Sequence, residues 1–340
     1  MRNSIMIALV AAIFCSCTKV GLEENVNSVE ESVVRITLLN ENGTRATGYN
    51  HGIQTYDNNI KTLEVFIFRV CDGDGNGTLD GYKKYTNVTA ASITDFEVKT
   101  TTGRKMIYVV ANSHIESWGS DINRSKFESY KAELFKEDAQ NFVMIGSKEE
   151  TLELASSVSM TIKRMVSRVQ LNGITTLFKE TPYEGCSLTN VKAYLINVQG
   201  EKYLFDGSGD DLKLINSKKY EASDMTGCTM ANMLYEEISD SINDSGYRSS
   251  HFFYCYENDI AEEDEQNRFT RLVIEADLNG TTYYYPVAIK ELKRNCCYTI
   301  DVKIKRPGSL DPDTDVELGT LSLDIEILGW NTCAGTTVEF

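Results

Sequence analysis

The feature that most constrains the fold of this sequence is a recurring alternation of apolar and polar residues. Val34, Ile36 and Leu38 alternate with Arg35 and Thr37. Successive side chains of a β-strand point to opposite faces, so this period of two predicts a half-buried strand. The segments LEVFIFRV and KMIYVVAN are apolar on both faces and predict central strands. Later strand-forming segments are VKAYLINV, RLVIEADL, TTYYYPVAI and CYTIDVKIK.

These strands are short, irregularly spaced and separated by turn residues, which predicts an all-β fold of two antiparallel β-sandwiches. One segment departs from the pattern, because Phe127, Tyr130 and Leu134 are at helical spacing. Ser125 and Glu128 form a capping-box pattern there. We therefore expect one short amphipathic helix. The segment LELASSVSMTIKRMVSRVQL is interpreted as the crossover between the two halves.

The N-terminus resembles an export signal. Arg2 precedes an apolar run from Ile5 to Phe14, which is too short to span a bilayer as a helix. FCSC then resembles the lipobox of bacterial lipoproteins, and Cys17 is the predicted lipidation site because Ser16 precedes it. An ordinary secretory signal is the alternative. We divide the remaining chain into a polar tether (18–32), an N-terminal sandwich domain (33–160) and a C-terminal sandwich domain (161–340).

Charge and motifs exclude several functions. The net charge of −16 argues against nucleic acid as a partner, since phosphate binding needs clustered Lys and Arg. The sequence contains no HExxH, GxSxG, P-loop or GxGxxG motif, and its three histidines lie in unrelated contexts. We therefore predict no enzyme, no catalytic residue and no cofactor.

A calcium loop is the most tempting binding motif. In CDGDGNGTLDGYK, four side chains occupy calcium-ligand positions: Asp72, Asp74, Asn76 and Asp80. Lys83 stands where a glutamate should complete the ligand shell, and strands are predicted on both sides. The preferred interpretation is a Gly- and Asp-rich hairpin connection, so no metal site is predicted.

An aromatic sugar-binding platform is a second weak candidate. The segments HFFYCYEN and TTYYYPVAI are rich in aromatic residues. Alternating tyrosines on strands more often belong to the core and the sheet surface, and that interpretation is preferred.

Several segments together resemble one family. NGTRAT after the first strand, IYVVAN, KRMVSRVQL, FFYCYEN, LKRNCCYTIDVKIKRPGSLDPD and the terminal LDIEILGW are similar to the major fimbrial subunits (fimbrillins) of Bacteroidales type V pili. The resemblance covers most of the chain from Val33 onward. It implies two transthyretin-like β-sandwich domains and export as an outer-membrane lipoprotein.

The resemblance also implies a maturation step and a mode of assembly. An arginine-specific protease would cut after Arg45, so that Ala46 becomes the new N-terminus and residues 33–45 act as a propeptide strand. A C-terminal segment of one subunit would then fill the vacated groove of the next. Tip and anchor subunits would be further partners, and the mature protein would lie in a cell-surface fimbrium.

The residues support this assembly independently. Burial of Val34, Ile36 and Leu38 is worth roughly 1.5–3 kcal/mol each, against a whole-domain stability of about 5–15 kcal/mol. Loss of that strand should therefore leave the first domain marginal, and a donated strand would restore it. The candidate donor near 318–340 contains two strand-like segments, and which of them is donated stays open. Their apolar residues are Leu321, Leu323, Ile325, Ile327, Val338 and Phe340.

The sequence therefore predicts a structural pilin of the stalk that supports adhesion. One alternative is a tip or accessory fimbrial adhesin. Another is a monomeric surface lipoprotein that binds glycan or calcium.

Overall fold

The computed structural model describes most of the chain beyond the N-terminal segment. The described residues are 30–39, 59–70, 77–88, 96–205, 213–230, 232–264 and 267–316, together with the backbone of 321–329 and 337–339. The structure is 56% strand and 5% helix, which confirms the predicted all-β fold. No helix among these residues is long and apolar enough to cross a membrane.

The first half of the chain forms two facing sheets. A three-stranded sheet has the order β4-β1-β8, and a five-stranded sheet has the order β3-β2-β5-β7-β9. The strands up to residue 164 are β1 (Glu31–Leu39), β2 (Thr62–Arg69), β3 (Leu79–Thr86), β4 (Phe96–Thr101), β5 (Gly103–Ala111), β6 (Lys131–Glu133), β7 (Met144–Leu152), β8 (Ala155–Thr161) and β9 (Lys163–Arg164).

The second half also forms two sheets, of order β16-β10-β19-β20-β21 and β15-β11-β17-β18. Its strands are β10 (Val166–Thr176), β11 (Leu188–Ile196), β12 (Val198–Gln199), β13 (Glu201–Tyr203), β14 (Leu214–Ile215), β15 (Tyr235–Ile242), β16 (Tyr247–Tyr256), β17 (Thr270–Leu278), β18 (Thr281–Ile289), β19 (Cys296–Ile304), β20 (Leu321–Gly329) and β21 (Thr337–Glu339). The segment predicted as a crossover contains β8, β9 and the start of β10.

Strand β2 shows why LEVFIFRV is apolar on both faces. Leu63, Val65 and Ile67 lie in the core between the two sheets of the first half. Phe66 and Phe68 point the other way, into an aromatic cluster continuous with the core of the second half. Because each face packs against a different hydrophobic cluster, β2 is central to its sheet, as predicted.

A short helix, α1 (Arg124–Glu128), covers the aromatic face of β2. Phe127 is fully buried, and its ring centroid lies 4.5 Å from that of Phe66. The predicted capping box is wrong. The helix begins one residue before Ser125, and the Asn123 side chain accepts the hydrogen bond from the Lys126 backbone N–H (2.9 Å). Glu128 binds Arg124 instead.

The two halves are joined by backbone and side-chain contacts. Strands β6 and β13 pair with each other across the joint. Glu137 is fully buried, accepts a hydrogen bond from Tyr256 Oη (2.9 Å) and another from the Val143 backbone N–H (3.0 Å). A buried carboxylate needs such donors, so this contact fixes the segment after β6 against β16.

Candidate functional site

Strand β1 lies in the middle of its sheet. It pairs antiparallel with β4, with Val34 opposite Val98 and Ile36 opposite Phe96. On its other side it pairs parallel with β8, where Ile36 lies opposite Val158. Both of its hydrogen-bonding edges are therefore occupied, and among the described strands it alone links β4 to β8 in this sheet.

The side chains of β1 follow the alternation that the sequence predicts. Val34, Ile36 and Leu38 have no exposed surface and lie in the core of the first half. On the opposite face Val33 is 37% exposed, and the exposed Arg35 pairs with Glu97 at 3.0 Å. A strand with this pattern inserts one apolar row between two sheets and leaves the other row in solvent.

The strand β4, one neighbour of β1, is held by a charged cluster around Asp80 of β3. The Asp80 carboxylate accepts hydrogen bonds from Thr100 Oγ1 (2.7 Å), Thr101 Oγ1 (2.7 Å) and the Thr101 backbone N–H (2.9 Å). It also lies 2.7 Å from Arg69 Nε and 3.0 Å from Lys105 Nζ. Asp80 thus connects β4 of the three-stranded sheet to β2, β3 and β5 of the facing sheet.

The charge state of this cluster follows from its contacts. Burial by itself raises the pKa of Asp80, but the hydrogen bonds from Thr101, Thr100, Arg69 and Lys105 outweigh burial and hold the pKa well below its usual range. Lys105 is only 2% exposed, so it depends on the carboxylate as its counter-charge. The cluster attaches β4 to the facing sheet without any contribution from β1.

The other neighbour, β8, is held by its own apolar row. Val158 and Met160 lie in the core of the first half, and the chain on either side of β8 belongs to β7 and β9 of the facing sheet. Without β1, a groove would open between β4 and β8. Its base would be the apolar core, and the backbone groups of β4 and β8 that now pair with β1 would be unpaired. Such an opening is chemically matched to a strand with alternating apolar side chains.

The C-terminal strands lie at one side of the second half. β20 pairs antiparallel with β19 along its full length, from Leu321 opposite Ile304 to Gly329 opposite Cys296. β21 then pairs with β20 through three residue pairs. The predicted donor residues Leu321, Leu323, Ile325 and Ile327 are thus in β20, and Val338 is in β21.

Several predicted site residues lie outside the described residues, and the predictions about them stay predictions. They are Cys17, Arg45, Ala46, Asp72, Asp74, Asn76 and Phe340. Asp80, the fourth residue of the weak calcium candidate, instead forms ion pairs with an arginine and a lysine and accepts hydrogen bonds from two threonines. Among the described residues, no group of three or more His, Cys, Asp or Glu side chains is arranged to hold a metal ion.

Sequence reasoning missed the cluster around Asp80. A signal was present, since Lys105 begins the otherwise largely apolar segment KMIYVVAN, and a lysine is almost never fully buried unless it is paired. The identity of its partner depends on how β3, β4 and β5 pack.

The sheets described above define an all-β protein, and a family model matches part of its sequence. Residues 32–176 match the family model described as "Major fimbrial subunit protein (FimA)". The chain is therefore related to the major fimbrial subunits, which confirms the resemblance recognised in its sequence. That family consists of structural subunits of cell-surface fimbriae and not of enzymes. No curated protein sequence matches the chain.

Solved structures share the fold over nearly the whole chain. The fimbrilin FimA of Porphyromonas gingivalis W83 is 14% identical, with a TM-score of 0.63 and coverage of 89% of this chain and 98% of that one. A Bacteroides eggerthii protein for which a cell-adhesion role has been proposed is 17% identical, with a TM-score of 0.63 and coverage of 88% and 96%. The C-terminally truncated tip fimbrial protein Mfa3 of P. gingivalis is 11% identical, with a TM-score of 0.51 and coverage of 88% and 100%.

Proposed function

We propose that this protein is the stalk subunit of a cell-surface fimbria and that it polymerises by donor-strand exchange to support adhesion. It is exported as a lipoprotein, carried on the outer membrane through Cys17, and cleaved after Arg45 by an arginine-specific protease. Cleavage leaves Ala46 as the N-terminus and releases β1. Other copies of the chain, together with tip and anchor subunits, are its partners.

The observation that supports this proposal is the position of β1. It is a central strand, yet it stands at the start of the described chain, so a single cut after it separates the strand from the rest of the domain. Its three apolar side chains are completely buried, and their removal costs roughly 5–9 kcal/mol of burial free energy. That cost makes the vacated groove a strong acceptor for the strand of another copy.

The other end of the chain supports the same proposal. β20 and β21 extend the side of the β16-β10-β19 sheet, so they can leave without opening the middle of that sheet. A strand taken from one copy and inserted in the next makes a head-to-tail contact, which builds a filament when it does not close into a ring. Either β20 or β21 is the donated strand.

A stalk role is favoured over a tip or an anchor role. A stalk subunit needs an acceptor groove and a donor strand in the same chain, whereas a tip needs no donor and an anchor needs no cleavage. Val34, Ile36 and Leu38 mark the acceptor, and Leu321, Leu323, Ile325, Ile327, Val338 and Phe340 are the donor candidates.

The test is the substitution Arg45→Ala in cells that make the filament. We expect intact, lipidated precursor and no filaments, because β1 would remain in its groove. Arg35→Ala is the matched control, since it also removes an arginine but only breaks an exposed ion pair with Glu97, which is worth at most about 1 kcal/mol. Normal filaments from the Arg45→Ala strain would overturn the proposal.

A further inference from the structure

The outer face of the β15-β11-β17-β18 sheet carries a group of tyrosines that the assembly mechanism does not use. Tyr194 of β11, Tyr235 of β15, Tyr284 of β18 and Tyr220 from the loop after β14 pack around Ile196 and Val273. We call these four tyrosines the tyrosine face. Three of them are partly exposed, and Tyr194 lies buried beneath the others.

Three rings of the tyrosine face, those of Tyr194, Tyr220 and Tyr235, form a stack. Tyr220 and Tyr235 have ring centroids 4.6 Å apart and planes 23° apart. Tyr194 stacks on Tyr235 at 6.2 Å and 17°, and its ring lies 5.3 Å from that of Tyr220. Because Tyr220 comes from a loop and the other two from paired strands, the stack is held from two directions.

Fixed polar groups border these rings. Glu275 accepts a hydrogen bond from Tyr194 Oη (2.9 Å) and pairs with Lys192 at 2.8 Å. In the sheet, Lys192 lies opposite Glu275 on one side and Glu237 on the other. Lys192 is two residues before Tyr194 on β11, so it lies on the same face of the sheet as the Tyr194–Tyr235 pair. Hydrogen-bond acceptors (the carboxylates) and a donor (the Lys192 ammonium) therefore lie beside the aromatic rings.

A depression of about 380 Å³ adjoins the tyrosine face along the edge strand β15. It forms where the pairing of β11 and β15 shifts register between Val191 and Lys192. Its polar lining consists of Asn190, Lys192, Glu237, Ser239 and Asp240. Ligand sites combine such a concave surface with aromatic side chains and a few well-placed polar groups.

The chemistry of this surface selects among ligands. The acidic chain and the carboxylates beside the tyrosines disfavour phosphate-bearing ligands. The phenol hydroxyls and charged groups also interrupt the surface too often for an apolar protein segment. A pyranose ring fits, because it has an apolar face of C–H groups that can lie on an aromatic ring and a rim of hydroxyls that can bond to carboxylates, amides and lysine.

We propose that the tyrosine face, together with the adjoining depression, binds the sugar rings of a neutral glycan. The partly exposed ring of Tyr220 carries the stacking contact, and Tyr235, which lies face to face with it, holds it in place. Glu237, Lys192 and Asn190 bond to the sugar hydroxyls.

The glycan site is independent of strand exchange. Its residues belong to β11, β15, β17, β18 and a loop of the second half, whereas the acceptor groove is formed by β4 and β8 of the first half. Glycan binding can therefore be measured on the monomer, and its failure would leave the proposed assembly untouched.

The experiment is isothermal titration calorimetry of the purified protein with four neutral hexasaccharides: cellohexaose, xylohexaose, chitohexaose and maltohexaose. We expect at least one to bind at millimolar or lower concentration. Tyr220→Ala should weaken that binding about tenfold, the loss expected when a stacking contact is removed. Tyr235→Ala should weaken it too, because the ring that supports Tyr220 is lost. Tyr235→Phe keeps the ring and should weaken binding less than Tyr235→Ala.

Tyr82→Ala is the matched control, because Tyr82 is 45% exposed but lies on β3, away from the tyrosine face. Thermal melting of each variant shows whether it is folded. The proposal is overturned if none of the four sugars binds, or if the tyrosine variants bind as well as the Tyr82→Ala control. A change in self-association by Tyr220→Ala without sugar binding would identify the face as a contact between copies and would also overturn it.

Discussion

The two sandwiches of this protein differ in the position of their terminal strands, which are β1 in the first sandwich and β20 and β21 in the second. In the first, β1 is the middle strand of its sheet and supplies three of the seventeen buried core residues that the structure describes there. In the second, β20 and β21 are added beside β19, and β10, which enters that half first, is already paired on both sides.

This difference separates two kinds of terminal strand. A middle strand contributes burial and two ladders of backbone hydrogen bonds, so its loss opens the domain. Strands added at one side leave the remaining sheet continuous when they depart. The chain thus combines a strand that its domain needs with strands that its domain can release, which is the combination required for exchange between copies.

The largest expected effect comes from the buried row of β1. The double variant Ile36→Ala/Leu38→Ala should destabilise the uncleaved first sandwich by about 4–10 kcal/mol, since each truncation leaves a cavity in a fully buried site. Denaturant unfolding measures this loss. The control Val33→Ala, on the solvent face of the same strand, should change stability by no more than about 0.5 kcal/mol. Equal effects from the two variants would mean that β1 does not fill the core.

A smaller loss is expected at the cluster that holds β4. Asp80→Asn leaves Lys105, only 2% exposed, without its nearest counter-charge, and should cost about 3–5 kcal/mol in unfolding free energy. The double variant Asp80→Asn/Lys105→Met should recover part of that loss, because the orphaned charge is removed. A neutral effect of Asp80→Asn would show that this cluster does not hold β4 in place.

The same cluster predicts a dependence on pH. The pKa of Asp80 is lower in the folded protein than the ordinary value of 3.8, so its contribution is complete above about pH 4 and is lost as the pH falls below that value. The difference in stability between the native protein and Asp80→Asn should therefore shrink between about pH 4 and pH 2. Urea unfolding at several pH values checks this, and a constant difference would contradict the assignment.

The smallest effect on the monomer is expected at the C-terminus. Deletion of residues 331–340 removes β21, which pairs only with β20 among the described strands, and should change monomer stability by no more than about 0.5 kcal/mol. Polymerisation should nevertheless be impaired. A collapse of monomer stability would instead assign this segment permanently to its own domain.

The local pattern of the sequence predicted the strands more successfully than their partners. The period of two in 34–38 and the apolar run of β2 identified one half-buried and one central strand. The pairing of β1 with β8, which begins at Ala155, was not predictable, because partner choice depends on packing between residues distant in sequence. The helix cap was misassigned because Asn123 and Ser125 are both good capping residues and are only two positions apart in the sequence.

The tyrosine face illustrates the same limit. Of the two aromatic segments singled out in the sequence, HFFYCYEN contributes Phe253, Tyr254 and Tyr256 to the buried core. TTYYYPVAI contributes Tyr284 to the tyrosine face. The other three tyrosines come from separate parts of the chain, and only the folded sheet brings them together.

The most direct test of the central claim is the N-terminus of this chain in purified surface filaments, read by Edman sequencing and intact mass. The account predicts Ala46, with residues 30–39 absent from the polymer. Filaments whose subunits begin before β1 and retain it would contradict strand exchange in this protein.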